Sequence, residues 1–139
     1  MSIQLLFRHP TIDPAIITTT IGVQPTMQAR AGEQVRPALD GTPRRGLNRE
    51  STWVVTTEYY DDPTTDSYPN IDSRLKTFLE PFQLRAPFVR QLAAECTAAG
   101  VDLEFPGQFH FGGEITPPVL RIVADLGLNL GIEVFPDWA

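Results

Sequence analysis

The residues of this chain with chemistry to offer are two histidines, a set of arginines and a few aromatics. His9 closes an alternating stretch, and His110 lies inside Phe109-His110-Phe111. Imidazole beside carboxylate can bind a metal or move a proton. If the two stretches neighbour each other, His9, His110, Asp13 and Glu114 converge near two helix starts. The spacing is not a metal signature, which would set two histidines one helical turn apart. No metal or cofactor is therefore expected. A pocket near His9 and His110 is kept as the alternative reading, a small-molecule or metal-binding domain or a catalytic one.

Arg36, Arg44, Arg45 and Arg49 give the middle of the chain a local basic character. Trp53, Tyr59 and Tyr60 follow closely in sequence. Arginine and aromatic side chains dominate binding hot spots, so these seven residues form the candidate recognition surface. Asp61-Asp62-Pro63-Thr64-Thr65-Asp66 has the acidity of a cation loop. It lacks the glycine turn and distal glutamate of a calcium loop and reads as a solvated acidic loop. There is no Gly-x-Ser-x-Gly elbow, phosphate-binding glycine loop or dinucleotide fingerprint. Cys96 falls on an apolar helical stripe and reads as a buried, inert thiol.

The chain has 139 residues, 42% hydrophobic and 20% charged, enough for one domain with a real core. Residues 1–139 are read as a single domain. Its formal net charge of -6 argues against nucleic acid and suits a basic protein partner. One cysteine rules out an intrachain disulfide. The first ten residues lack a basic start followed by a long apolar run, and no stretch approaches a membrane span. No membrane contact and a cytoplasmic location are expected.

The elements that must position these groups are legible in outline. Ser2 to Arg8 alternates as a strand, with Ile3, Leu5 and Phe7 on one face. Asp13-Pro14 opens a helix carrying Ile16, Ile17 and Ile21, and Gly22 closes it. From Met27 to Ser51 the chain is polar, with a turn at Ala31-Gly32-Glu33 and a mobile loop over 41–46. Thr52 to Glu58 is a strand with Trp53, Val55 and Thr57 on one face.

Asp72 is expected to cap a helix bearing Leu75, Phe78 and Leu79 that stops near Pro81. A second helix is expected over 86–99, closed by Gly100. A strand over 101–111 is interrupted at Pro106-Gly107. Thr116-Pro117 opens the last helix, Gly127 closes it, and 128–135 is the final strand. Ile21-Gly22-Val23 is echoed by Leu126-Gly127-Leu128. The order predicts an α+β fold. We expect a two-layer sandwich with a four- to five-stranded, mostly antiparallel sheet and helices on one face. The style is ferredoxin-like, with an internal βαβ-type echo.

Ile21-Gly22-Val23-Gln24-Pro25-Thr26, Ala31-Gly32-Glu33, Trp53 on a strand and the closing Leu126-to-Phe135 segment resemble the bacterial "domain of unknown function 4279" family. The resemblance spans nearly the whole chain. The family's end reads Ile-Asp-hydrophobic-Tyr, whereas this chain has Ile132-Glu133-Val134-Phe135, with one hydroxyl fewer and a longer carboxylate arm. The resemblance implies a small cytoplasmic bacterial domain and brings no catalytic residues. The reading is a non-enzymatic, immunity-like protein-binding module that engages another protein or, as a homodimer, itself.

Overall fold

The computed structural model describes residues 1–60, 70–106 and 113–135. The elements run β1 (Ser2–His9), α1 (Pro14–Ile21), β2 (Met27–Ala29), β3 (Ser51–Glu58), α2 (Ile71–Gln83), α3 (Ala86–Glu95), β4 (Ala98–Pro106), α4 (Pro117–Asp125) and β5 (Asn129–Phe135).

The strands form one sheet in the order β2-β3-β1-β4-β5. β1 lies at its centre, antiparallel to β3 and β4; β2 is antiparallel to β3, and β4 is parallel to β5. β1 and β2 thus run the same way with β3 between them, a split βαβ unit around α1. β4-α4-β5 is a second βαβ unit with its strands adjacent. The glycine-closed helix of each unit is the echo seen in the sequence.

Alternation in β1 decides the layering. Ile3, Leu5 and Phe7 pair with Thr57, Val55 and Trp53 on one side and with Leu103, Val101 and Ala99 on the other. Most of these residues share a buried cluster with Ile17, Leu75, Phe82, Val89, Leu92, Val119 and Val123 from α1 to α4. These four helices therefore cover one face of the sheet, and the core lies between the two layers. Trp53 sits in its middle, 1% exposed, tilted against Phe7 and edge-on to Phe82. Its indole Nε1 donates to Thr18 Oγ1 at 3.0 Å, which satisfies the buried ring's polar end.

Helix α1 starts and stops as its sequence specifies. Asp13 Oδ1 accepts from the Ala15 amide at 3.0 Å, Pro14 takes the first position, and Gly22 closes the helix with φ +80°. Helix α4 also closes on a left-handed glycine, but with two bonds where α1 has one from Gly22 N to Thr18 O. The Gly127 amide donates to Ala124 O and the Leu128 amide to Val123 O, with Gly127 at φ +73°.

Four boundaries differ from the expectation. Asn70, not Asp72, precedes α2, and Asp72 lies in its first turn. Pro81 does not stop α2, because Phe78 and Phe82 stack at 6.0 Å and anchor the last turn in the core. α3 ends at Glu95, not at 99: Thr97 N donates to Arg8 O, and Ala98 and Ala99 pair with Arg8 and Phe7 of β1. Gly100 is a strand residue, where a Cβ would press within 3.2 Å of Asn129 O, so it serves the close approach of β4 and β5.

The polar stretch from Met27 to Ser51, expected as a loop mobile over 41–46, holds an irregular antiparallel arm. Gly32 N donates to Asn48 O across it and Asn48 N to Glu33 O. Further out, Val35 N reaches Gly46 O, and Ala38 N reaches Thr42 O at the tip. Two bonds of Ser51 tie the arm's base to the body. Its hydroxyl, buried within β3, donates to Ile12 O and accepts from Ala31 N.

Candidate functional site

β1 begins at one end of the sheet where β3, β4 and β5 finish. Register places Glu58 of β3 and Glu104 of β4 on either side of Ser2. Their backbones are therefore two strand spacings, about 10 Å, apart. Beside them is an open cleft of about 320 Å³, lined by Ser2, Glu58, Tyr59, Tyr60, Glu104 and Phe135 among others.

Each carboxylate is oriented by a hydroxyl. Ser2 Oγ donates to Glu104 Oε2 at 2.7 Å, and Tyr60 Oη donates to Glu58 Oε2 at 2.8 Å. That hydrogen bond, with the charge of Glu58, holds the Tyr60 phenol above its ordinary pKa. Among the described residues neither carboxylate has a further hydrogen-bond partner, which leaves lone pairs for a donor from outside. Tyr59 is fixed from two sides. Its amide donates to Met1 O, and the Arg74 guanidinium lies 4.7 Å from its ring centre. Burial raises the Tyr59 phenol's pKa, and Arg74 opposes that shift. Asp102 stands one row back on the face that the helices leave open. Burial and the neighbouring Glu104 push its pKa up. A carboxylate-lined, aromatic-rimmed cleft suits an ammonium or guanidinium group.

The residues singled out in sequence divide between the two ends of the sheet. Tyr59 and Tyr60 lie in the cleft. Arg36, Arg44 and Arg45 are exposed on the arm, and Arg49 is exposed at its base. The arm joins β3 at Ser51, the opposite end of that strand from Glu58. Trp53 is in the core. The arginines and tyrosines therefore do not form one surface.

His9 closes a turn at the arm end. Its Nδ1 accepts from the amides of Thr11 and Ile12 at 3.0 and 2.9 Å, and Nε2 lies 3.4 Å from Glu95 Oε2. Two amide donors into Nδ1 leave Nε2 as the protonated nitrogen of the neutral ring. Asp13 is engaged with Ala15 N and, at 3.3 Å, with Arg30. Glu114 precedes α4, whose Thr116 is tied to Asp72 in the first turn of α2, away from the His9 turn. The expected convergence of Glu114 with His9 does not occur. His110 and the 61–66 acidic loop lie outside the described residues.

Cys96 is half-buried, and burial with the adjacent Glu95 charge raises its thiol to about 11. It is a protonated, unreactive thiol at neutral pH. Among the described residues no group of three His, Cys, Asp or Glu side chains could hold a metal ion, and no helix is long and apolar enough to cross a membrane.

Nothing in the sequence alone points to Glu58 and Glu104. Each looks like the solvated end of a strand, and only register brings them to the same row.

Fold and cleft together define an α+β two-layer sandwich with an acidic site at one end of its sheet. The family model for "Domain of unknown function (DUF4279)" matches residues 1–135, and the chain belongs to that family. No curated protein and no solved structure matches it.

Proposed function

We propose that this is a binding module whose cleft receives a cationic side chain of a basic protein partner. The observation that carries the reading is the pairing of Glu58 and Glu104 across Ser2, beside Tyr59, Tyr60 and Phe135. A guanidinium reaching between two preset carboxylates gains charge-assisted hydrogen bonds, and the tyrosines supply flat apolar contact. The cleft is open and near the small end of ligand-pocket volumes, so it fits one side chain of a protein better than an enclosed metabolite. The net charge of -6 steers a basic partner toward it. Occluding a basic partner is the action of an immunity-type protein, and this chain suits it in size and charge. The arm's arginines are the second candidate surface.

A tagged pull-down from the native host, read by mass spectrometry, tests both surfaces. The wild-type chain is expected to retain a basic protein in stoichiometric amount. The double variant Glu58→Gln, Glu104→Gln is expected to lose it, whereas Arg44→Glu with Arg45→Glu retains it. Loss only in the arginine variant would move the site to the arm. Retention by both variants would remove both surfaces, and an empty eluate would overturn the reading.

A further inference from the structure

The two edges of the sheet are built differently. β2, one edge, has three residues and follows Pro25, so it offers little to another strand. β5, the other edge, has seven residues with no lysine and no proline. Natural edge strands are blunted by brevity, proline, bulges or charge. Glu133 is the only charged residue in β5.

The side chains of β5 add to the contrast. Register puts Leu130, Ile132 and Val134 beside Val101, Leu103 and Phe105, on the helix-covered side of the sheet. α4 covers only the first of them: Ile132 is 64% and Val134 50% exposed. Among the described residues β5 pairs with β4 alone. An apolar row on an unblunted edge is a site for strand addition.

We infer that β5 pairs antiparallel with β5 of a second copy of this chain, centred on Ile132. The sequence is self-complementary in that register. Ile132 faces Ile132 of the second copy, and Leu130 faces its Val134 on the helix side. On the other side Glu133 faces Gly131 of the second copy, so no two carboxylates oppose each other across the seam. A Cβ at Gly131 would collide with the Asp102 carboxylate, so a larger residue there requires that side chain to move. The two-fold axis stands normal to the sheet. It joins two five-stranded sheets into one of ten strands, with α1 to α4 of both copies on the same face. One-residue slips in either direction would put polar residues against the apolar row. Phe135, a wall of the cleft, is brought opposite Asn129 of the second copy, so the interface runs up to the rim of the site.

Sedimentation equilibrium of the full chain is the first test, and the wild type is expected at twice the chain mass. Ile132→Lys is expected to sediment as a single chain and, at concentrations low enough for the wild type to be dissociated too, to melt as the wild type does, because within one chain the side chain it replaces is mostly exposed. Cross-linking then tests the register without depending on that variant's fold. In a Cys96→Ser background, Ile132→Cys is expected to give a disulfide-linked dimer under copper–phenanthroline oxidation, and Thr19→Cys on α1 is expected not to. A wild-type chain of single mass at every concentration would overturn the inference. So would a dimer untouched by Ile132→Lys, or cross-linking at 132 no greater than at 19.

Discussion

Asp102 carries its charge at a cost that its neighbours set. Its carboxyl sits half-buried in β4, one row from Glu104, and both influences raise its pKa above the ordinary value of 3.8. The sign follows from proton uptake. Between the unfolded and folded pKa values the folded chain binds more protons, so stability falls as pH rises through that window and stays lower above it. Asp102→Asn is therefore expected to be at least as stable as wild type at neutral pH. The difference should vanish below the ordinary carboxylate range. Denaturant midpoints of both proteins across pH check this, and a variant less stable at neutral pH would refute it. Gly22 is the opposite kind of residue, uncharged and fixed by backbone alone. At φ +80° nothing lies within 4 Å of where its Cβ would be, so a substitution meets conformational strain and no clash. Gly22→Val is expected to cost about 1 kcal/mol or more in a melting experiment. An unchanged midpoint would show that α1 does not need its left-handed closure.

At the scale of elements, the helices show what sequence can and cannot specify. Caps, prolines and glycines act over a few residues, so both ends of α1 and the closure of α4 are legible in the residues themselves. The end of α3 is not. Ala93, Ala94, Ala98 and Ala99 favour helix, but pairing with Arg8 and Phe7 takes the last two for β4. β2 gives no signal either, because three residues, one of them Gln28, carry no alternation to read. Asp72 shows the same limit. The sequence offers it as a cap for its own helix, yet its carboxylate accepts from the Thr116 amide at 2.7 Å and from the Thr116 hydroxyl at 3.1 Å. Thr116 precedes α4, and its hydroxyl is engaged with Asp72 instead of capping its own helix. One carboxylate thus lies at the positive ends of two helices. Asp72→Ala is expected to destabilise by about 1 kcal/mol, and Asp72→Asn by less because its amide oxygen still accepts. Urea titrations separate the two variants. Equal losses would show that the carboxylate, and not the hydrogen bonds, holds α4.

The whole molecule has two unlike ends. The cleft end gathers Glu58, Glu104, Glu133 and the tyrosines, and the other carries the arm with Arg36, Arg44 and Arg45. This polarity is not visible in the sequence, where Tyr59 follows Arg49 by ten positions; the intervening strand β3 carries them to opposite ends. The arm also differs in how it is held. None of residues 31–50 belongs to the core cluster, and its bonds are mostly internal, between Gly32 and Asn48, Val35 and Gly46, and Ala38 and Thr42. Ser51 fastens only its base, through Ala31. Hydrophobic burial dominates folding free energy, so a segment that buries nothing in the core adds little to it. Replacing residues 33–48 with a short glycine-serine turn also shortens the loop that β3 must close, worth only about 0.6 kcal/mol per halving. The excised protein is therefore expected to unfold within about 1 kcal/mol of wild type, with the bond between Ser51 and Ala31 intact. A loss of several kcal/mol in a denaturant titration would show instead that the arm packs as part of the body. If stability is retained, the same variant separates the two surfaces. A partner that still binds it is held by the carboxylate cleft, and one that is lost was held by the arginines.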